Sequence, residues 1–382
     1  MRILAVLIRT DADDEIGGSE RSFVELGNAL VEMGVEVDAV EVPPSVSTVV
    51  TSRFNHYSLD STSRRPRLLI HTLETIRIAL NRRCQVVFAP TVYWPESLFV
   101  ALVTHLILRR PLFVGLAGPF LEHQDKLQLT DLITQMLKGK RGMRLVLTAF
   151  LRRLTVRASD GVVVPTGQLA FYARTTLRAK NAVVIGRGVD GSWFEPGSSD
   201  STKVYDAIFV GRLHDRKGVY TLLEAWKVIS DSLADSRLLL VGSGALSEEL
   251  ERRAQKMGRG NLVTFAGYVR NTNEIRRLLQ SSRLLVLPSE GEGFARVVAE
   301  GMACGVPCVI SDLPGLRELY GRAAVFVPCG DPARLAETIS TLLLDDAKRE
   351  ELSRKSLALA RSFRWNRVAA LTYETFERAL KQ

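Results

Sequence analysis

Residues 284–315 read LLVLPSEGEGFARVVAEGMACGVPCVISDLPG, and the fold turns on how this stretch is read. Leu284 to Leu287 is a short apolar run closed by Pro288, as in a strand buried on both faces. Pro288 to Gly293 reads as a loop. A helix is predicted from about Ala295 to Cys304 and a second strand from Pro307 to Ser311. Two carboxylates, Glu292 and Glu300, stand one ahead of the helix and one on it. In a regular helix they share a side, about 12 Å apart along the axis. Between them, near Phe294 to Val297, lie the first free N–H groups of the helix. Unpaired donors and a positive dipole at that end suit a phosphate. One short unit could therefore hold a diphosphate and bind hydroxyl groups at two carboxylates. A nucleotide sugar carries that set of groups.

Upstream, Ala207 to Val210 is a strand ending in Gly211, followed by Arg212 and Lys217, five positions apart. Arginine grips phosphate oxygens with a planar fork, and lysine neutralises them as a point charge. Val263 to Phe265 is a further strand, leading to Gly267, Tyr268, Val269 and Arg270. At the N-terminus, Ile3 to Ile8 is a strand. Gly17-Gly18 follow it, then Ser19, which can cap a helix running to about Met33. Strand, glycine loop and helix form a Rossmann-type opening without the GxGxxG spacing, so NAD is not expected. Asp11-Ala-Asp13 sits in an acidic loop with Asp14 and Glu15, and neither a metal nor any other cofactor is expected.

Glu292 and Glu300 have seven residues between them. Pro288-Ser289 precede the pair, and Ala303-Cys304-Gly305-Val306-Pro307 follow it. This arrangement resembles the retaining glycosyltransferases of family 4. The resemblance extends over nearly the whole chain. It implies an α/β GT-B fold, two facing Rossmann-like domains with a cleft between the C-terminal edges of their sheets. The domains expected are 1–190 on the acceptor side, 204–363 on the nucleotide-sugar donor side, and 364–382 as a helix returning to the first domain. Asp190 to Lys203 would be the linker. The resemblance further implies that Gly17, Gly18, Gly211, Arg212, Lys217, Val269, Arg270, Gly293, Phe294, Ala295, Arg296, Val297 and Glu300 border the donor. Arg212 and Lys217 would take its phosphates, Glu300 the ribose, and Glu292 the sugar. The expected activity is transfer of a hexose from a UDP- or GDP-linked donor to a hydroxyl, with retained configuration.

Two positions depart from the family pattern. Its usual histidine at the end of the strand Leu112 to Leu116 falls on Ala117 or Gly118, and the nearest histidine is His123; His214 is a second candidate to replace it. Arg187 stands where Asn is common. The missing histidine favours the alternative of a nucleotide-sugar-binding protein without turnover, whereas Arg212, Lys217, Glu292 and Glu300 favour an enzyme.

The chain has 382 residues, long enough for two domains, and 46% hydrophobic with 24% charged residues is ordinary for a globular protein. A net charge of +9 suits an acidic ligand or an anionic surface. No zinc spacing, basic zipper or aromatic RNA-binding run accompanies that charge, so no nucleic-acid partner is expected. Cys84, Cys304, Cys308 and Cys329 form no CxxC pair and read as small buried residues in a reducing compartment. MRILAVLIRT is too short for a signal peptide, and Leu98 to Leu108 is too short to span a bilayer. A cytoplasmic protein is expected, with a peripheral position at the membrane as an option. That option rests on residues 132–159, where seven cations and no acid accompany Leu145, Val146, Phe150, Leu151 and Leu154. Two readings fit: a membrane-facing segment serving a lipid-linked or envelope glycan acceptor, or a helix whose apolar side meets the core. Residues 43–66 read as a long polar loop.

Overall fold

Every strand pairing among the described residues is parallel, and β1 (Arg2–Ile8) illustrates why the strands read as unbroken apolar runs. Leu4 and Val6 enter one core while Ile3, Ala5 and Leu7 enter another, on the opposite face. A strand covered on both faces has no polar side. The computed structural model describes residues 1–8, 18–42, 52–59, 67–92, 94–116, 140–194, 203–257 and 262–382. They form two compact units, 1–188 with 365–382, and 189–364.

In the first unit β1 is followed by α1 (Gly18–Glu32), β2 (Glu36–Val42), β3 (Asn55–Ser58) and α2 (Arg67–Asn81). Then come β4 (Val86–Ala89), α3 (Pro95–Leu108), β5 (Leu112–Gly115), α4 (Lys140–Ala158), β6 (Gly161–Val164), α5 (Gly167–Thr175) and β7 (Ala182–Val184). The strand order is β3-β2-β1-β4-β5-β6-β7. Helices α2 to α5 cover one face. On the other, α1 packs with the last helix of the chain, Trp365–Leu380, which sets Phe376 against Phe88 and Phe113. Gly188 lies so close to Trp365 that a Cβ there would stand 2.4 Å from its ring.

The second unit contains β8 (Tyr205–Val210), α6 (Val219–Ser232), β9 (Leu238–Val241), α7 (Ser247–Lys256), β10 (Val263–Gly267) and α8 (Thr272–Gln280). It continues with β11 (Ser282–Leu287), α9 (Arg296–Ala303), β12 (Cys308–Ser311), α10 (Pro314–Tyr320), β13 (Ala324–Val327), α11 (Pro332–Leu344) and α12 (Asp346–Ala360). The returning helix Trp365–Leu380 is α13. The second sheet has the order β10-β9-β8-β11-β12-β13.

Four sequence readings need correction. Residues 55–58 are not loop but β3, parallel to β2. It is a half-exposed edge strand, so it shows no apolar run. The stretch read as a linker begins inside the second unit. Gly191–Phe194 form a 3-10 turn whose Trp193 is fully buried in that core, and Val189 pairs with Arg364. The reading of the segment around α4 as a helix whose apolar side meets the core accounts for one side only: Ala149, Leu151 and Val156 are buried, while Met143, Leu147, Phe150 and Leu154 face outward. Of the cysteines, Cys84 and Cys308 are buried, but Cys329 is exposed on the loop after β13. No helix of the described residues is long and apolar enough to cross a membrane.

Candidate active site

The site grows from the middle of the second sheet. β8 and β11 are neighbours, yet from β8 the order continues to β9 and from β11 to β12. The loops leaving their C-terminal ends therefore diverge, which opens a crevice in a doubly wound sheet. Those loops are Gly211 to Gly218 and Pro288 to Ala295.

Glycines let the loops approach one another at backbone distance. Gly242 has φ +138, and a Cβ there would stand 1.9 Å from the Gly211 carbonyl oxygen. Gly218 has φ +66, and its Cβ would stand 1.9 Å from the Pro288 carbonyl oxygen. The Glu290 N–H donates to the Arg216 carbonyl at 2.9 Å, joining the two loops directly. His214 caps the turn Asp215–Lys217 by accepting the Arg216 N–H on its side chain, a local role that accounts for its position.

This packing brings Lys217 to Glu292. The Lys217 Nζ donates to the Glu292 Oε1 at 2.6 Å, and the side chains are 22% and 9% exposed. The second carboxylate oxygen of Glu292 makes no hydrogen bond among the described residues. Arg212 is exposed on the same loop, and its guanidinium has no hydrogen-bond or ion-pair partner among them. Of the two cations expected at phosphates, one is thus open and the other is held by a carboxylate.

Ahead of α9 the chain turns sharply. Phe294 is not helical, and Ala295 is left-handed at φ +51 and ψ +63, so the helix begins at Arg296. The expectation that helical periodicity relates Glu292 to Glu300 therefore fails, because this reversed residue stands between them. Ala295 offers no side-chain cap. The turn is held from outside by Tyr320, a fully buried residue whose hydroxyl donates to the Phe294 carbonyl and lies 3.3 Å from the Ala295 carbonyl. The rings of Phe294, Tyr320 and Phe363 meet edge to face at 5.6–6.1 Å. Tyr320 was not singled out from the sequence. Its one signal there is a polar aromatic at the end of a short helix, and a buried tyrosine hydroxyl requires a partner.

Glu300 lies on α9, buried, with Oε1 accepting from the Arg296 guanidinium at 2.8 Å. Its Oε2 makes no hydrogen bond among the described residues. Gly293 is buried, and Val297 is half-buried in the first turn of α9. Val269 and Arg270 follow β10 at the sheet edge. There the Gly267 carbonyl accepts the Gly242 N–H at 2.8 Å, which ties this third loop to the glycine turn after β9. Gly18 opens α1 in the first unit. Gly17, Asp11, Asp13, Ala117, Gly118 and His123 lie outside the described residues.

The first unit has its own pocket, open to solvent, at the C-terminal ends of β4 to β7. Its walls include Phe23, Phe88, Leu116 and Val163, with Ser22, Arg187 and Trp365 as polar members. The Trp365 Nε1 has no hydrogen-bond partner among the described residues.

Two Rossmann-like units, the second with cationic and carboxylate loops at its sheet's switch point, define a GT-B protein. Solved structures agree. The Anabaena protein HepE in complex with UDP superposes with a TM-score of 0.79 over 99% of this chain and 100% of that one, at 20% identity. The sucrose-phosphate synthase of Thermosynechococcus elongatus gives 0.78 over the whole of both chains, also at 20% identity. The model for Glycosyltransferase Family 4 matches residues 16–193, and that for Glycosyl transferases group 1 matches residues 205–345. Together the two models cover both units and support a family 4-like glycosyltransferase of the GT-B fold. A phosphatidyl-myo-inositol mannosyltransferase of Mycobacterium leprae is 31% identical over 173 residues, which is 44% of this chain and 46% of that protein. The O-antigen chain mannosyltransferase B of Escherichia coli is 28% identical over 173 residues, 45% of each. The chain thus spans about half the length of these relatives.

Proposed function

We propose that this protein is a retaining hexosyltransferase that moves a sugar from a UDP- or GDP-linked donor to a hydroxyl of a glycan or lipid-linked acceptor. The observation that carries the reading is the Lys217–Glu292 pair at the switch point of the second sheet, beside the open Arg212. Glu292 neutralises Lys217. A donor diphosphate would take over that role, setting Lys217 and Arg212 on the phosphates and freeing Glu292 for the sugar. The uncapped N-terminus of α9 adds backbone donors on the same loop. Glu300, with one oxygen held by Arg296, offers the other to the ribose hydroxyls.

In the reaction the bond from the anomeric carbon to the diphosphate oxygen breaks. A bond to the acceptor oxygen forms on the same face, and the acceptor proton passes to the departing phosphate. Charge grows on the leaving group, so cations fixed at the phosphates stabilise the transition state more than the ground state. The relatives support the substrate class. One is described as a phosphatidyl-myo-inositol mannosyltransferase, another as a GDP-mannose-dependent enzyme, and HepE has been solved with UDP-glucose. In the first unit, the apolar pocket with Ser22, Arg187 and the Trp365 N–H suits an acceptor that combines hydroxyls with a less polar body.

A thermal-shift panel of UDP-, GDP- and ADP-sugars identifies the donor, since a ligand at a hundred times its dissociation constant adds about 2.7 kcal/mol. Proton NMR of the first-formed product then reads the anomeric configuration. Donor binding without transfer or hydrolysis across a broad acceptor panel would instead mark a binding protein, and an inverted product would remove the retaining assignment.

A further inference from the structure

A helix on a sheet normally turns its apolar stripe inward and shows water a polar one. Three neighbouring helices of the first unit also carry a stripe that faces out. In α4, Met143, Leu147, Phe150 and Leu154 are 44–62% exposed. Spacings of four, three and four residues hold them within about 60° around the axis. In α2, Leu69, Leu73 and Leu80 repeat the pattern at 57–58%. α3 packs against both helices and ends in Leu106 and Ile107, each about 60% exposed. Exposed apolar side chains gathered on three helices that pack side by side mark an interaction site.

The charge around it selects the occupant. Arg109, Arg110 and Arg157 are exposed at these helices or their ends. Each acid within the helices is already paired: Glu74 with Arg77 at 2.8 Å, and Glu96 with Arg144 at 3.7 Å. α4 contains no acid at all. Apolar side chains rimmed by unopposed guanidiniums match a layer of anionic headgroups over acyl chains. A second copy of the same face would set arginine against arginine. α3 is apolar on all sides, but its 14 residues fall short of the roughly 20 that a membrane span needs, so the face lies on a bilayer rather than crossing it.

We propose that the outer face of α2, α3 and α4 docks on the surface of an anionic phospholipid bilayer. The proposal is independent of the sugar chemistry and concerns a surface apart from both pockets. The test is flotation of the full-length protein with vesicles of phosphatidylglycerol mixed into phosphatidylcholine, and with phosphatidylcholine alone. The wild type is expected to float with the anionic vesicles, less so as salt is raised. Phe150→Asp with Leu154→Asp should cut the bound fraction about tenfold or more. Arg109→Gln with Arg110→Gln should abolish the preference for anionic vesicles. Val228→Asp, at an exposed apolar position of the second unit, should float as the wild type does. An unchanged melting temperature of each variant separates lost docking from lost folding. A wild type that floats with neither vesicle at low salt overturns the proposal. So does flotation unchanged by both face variants. A lipid-independent dimer, dissolved by the Phe150 and Leu154 changes, would assign the face to a second copy instead.

Discussion

Lys217 and Arg212 sit on one loop, yet the protein treats them differently. Arg212 is open, whereas Lys217 is held 2.6 Å from Glu292. Hydrogen bonds to charged groups contribute roughly 1.5 to 3 kcal/mol. Arg212→Ala should therefore weaken binding of UDP or GDP by about one to two orders of magnitude. Transfer should fall further, because charge grows on the departing phosphate. Glu300→Gln should weaken intact nucleotides but hardly affect inorganic pyrophosphate, which has no ribose. A competition assay with both ligands reads the difference. The cysteines offer a separate check. Burial pushes the thiols of Cys84 and Cys304 up to about 12, and that of Cys308 also upward, so at pH 8 almost none of these three is thiolate. Brief alkylation followed by peptide mass spectrometry should find label on the exposed Cys329 alone. These residue types were legible in the sequence, since a glycine closing a strand, followed by Arg and Lys, has few structural uses. The Lys217–Glu292 pair was not. Its members are 75 positions apart, and only the adjacency of β8 and β11 brings them together.

Elements hold the site through backbone contacts that leave little mark on a sequence. Gly218 is one: the loop around Lys217 packs on Pro288 only because no Cβ intervenes. Gly218→Ala combines a left-handed backbone with a clash against a carbonyl. It should destabilise the second unit by about 2 kcal/mol or more. Calorimetry should show its melting lowered by roughly 5 °C or more. Tyr320 is another. Tyr320→Phe keeps the edge-to-face packing but removes the donor from a buried turn, at a cost of about 1–3 kcal/mol. Because that turn sets the start of α9, nucleotide affinity should fall together with stability. A variant that melts earlier yet binds nucleotide with unchanged affinity would confine Tyr320 to packing. The buried strands and most helices were legible because their apolar runs and periodicity are strong. β3 was missed because an edge strand covered on one side has neither signal. α4 resisted assignment because it is apolar on both its core and its outer face.

At the scale of the molecule, each of two doubly wound units opens a pocket or crevice at the C-terminal ends of its parallel strands. The fold was readable because most strands end at or just before a glycine or proline, and the family models match both units. The unit boundary was less readable: Trp193 lies in a stretch whose Gly, Ser and Pro content imitates a linker, yet its indole is core. On the proposed function, the diphosphate and the sugar of one donor are divided between the cations and Glu292. Calorimetry with the bare nucleotide diphosphate, run beside a transfer assay on the same preparations, tests it directly. Glu292→Gln is expected to keep wild-type affinity for the bare nucleotide and lose transfer, while Arg212→Ala loses both. Abolished nucleotide binding in Glu292→Gln, with Arg212→Ala unchanged, would contradict the assignment.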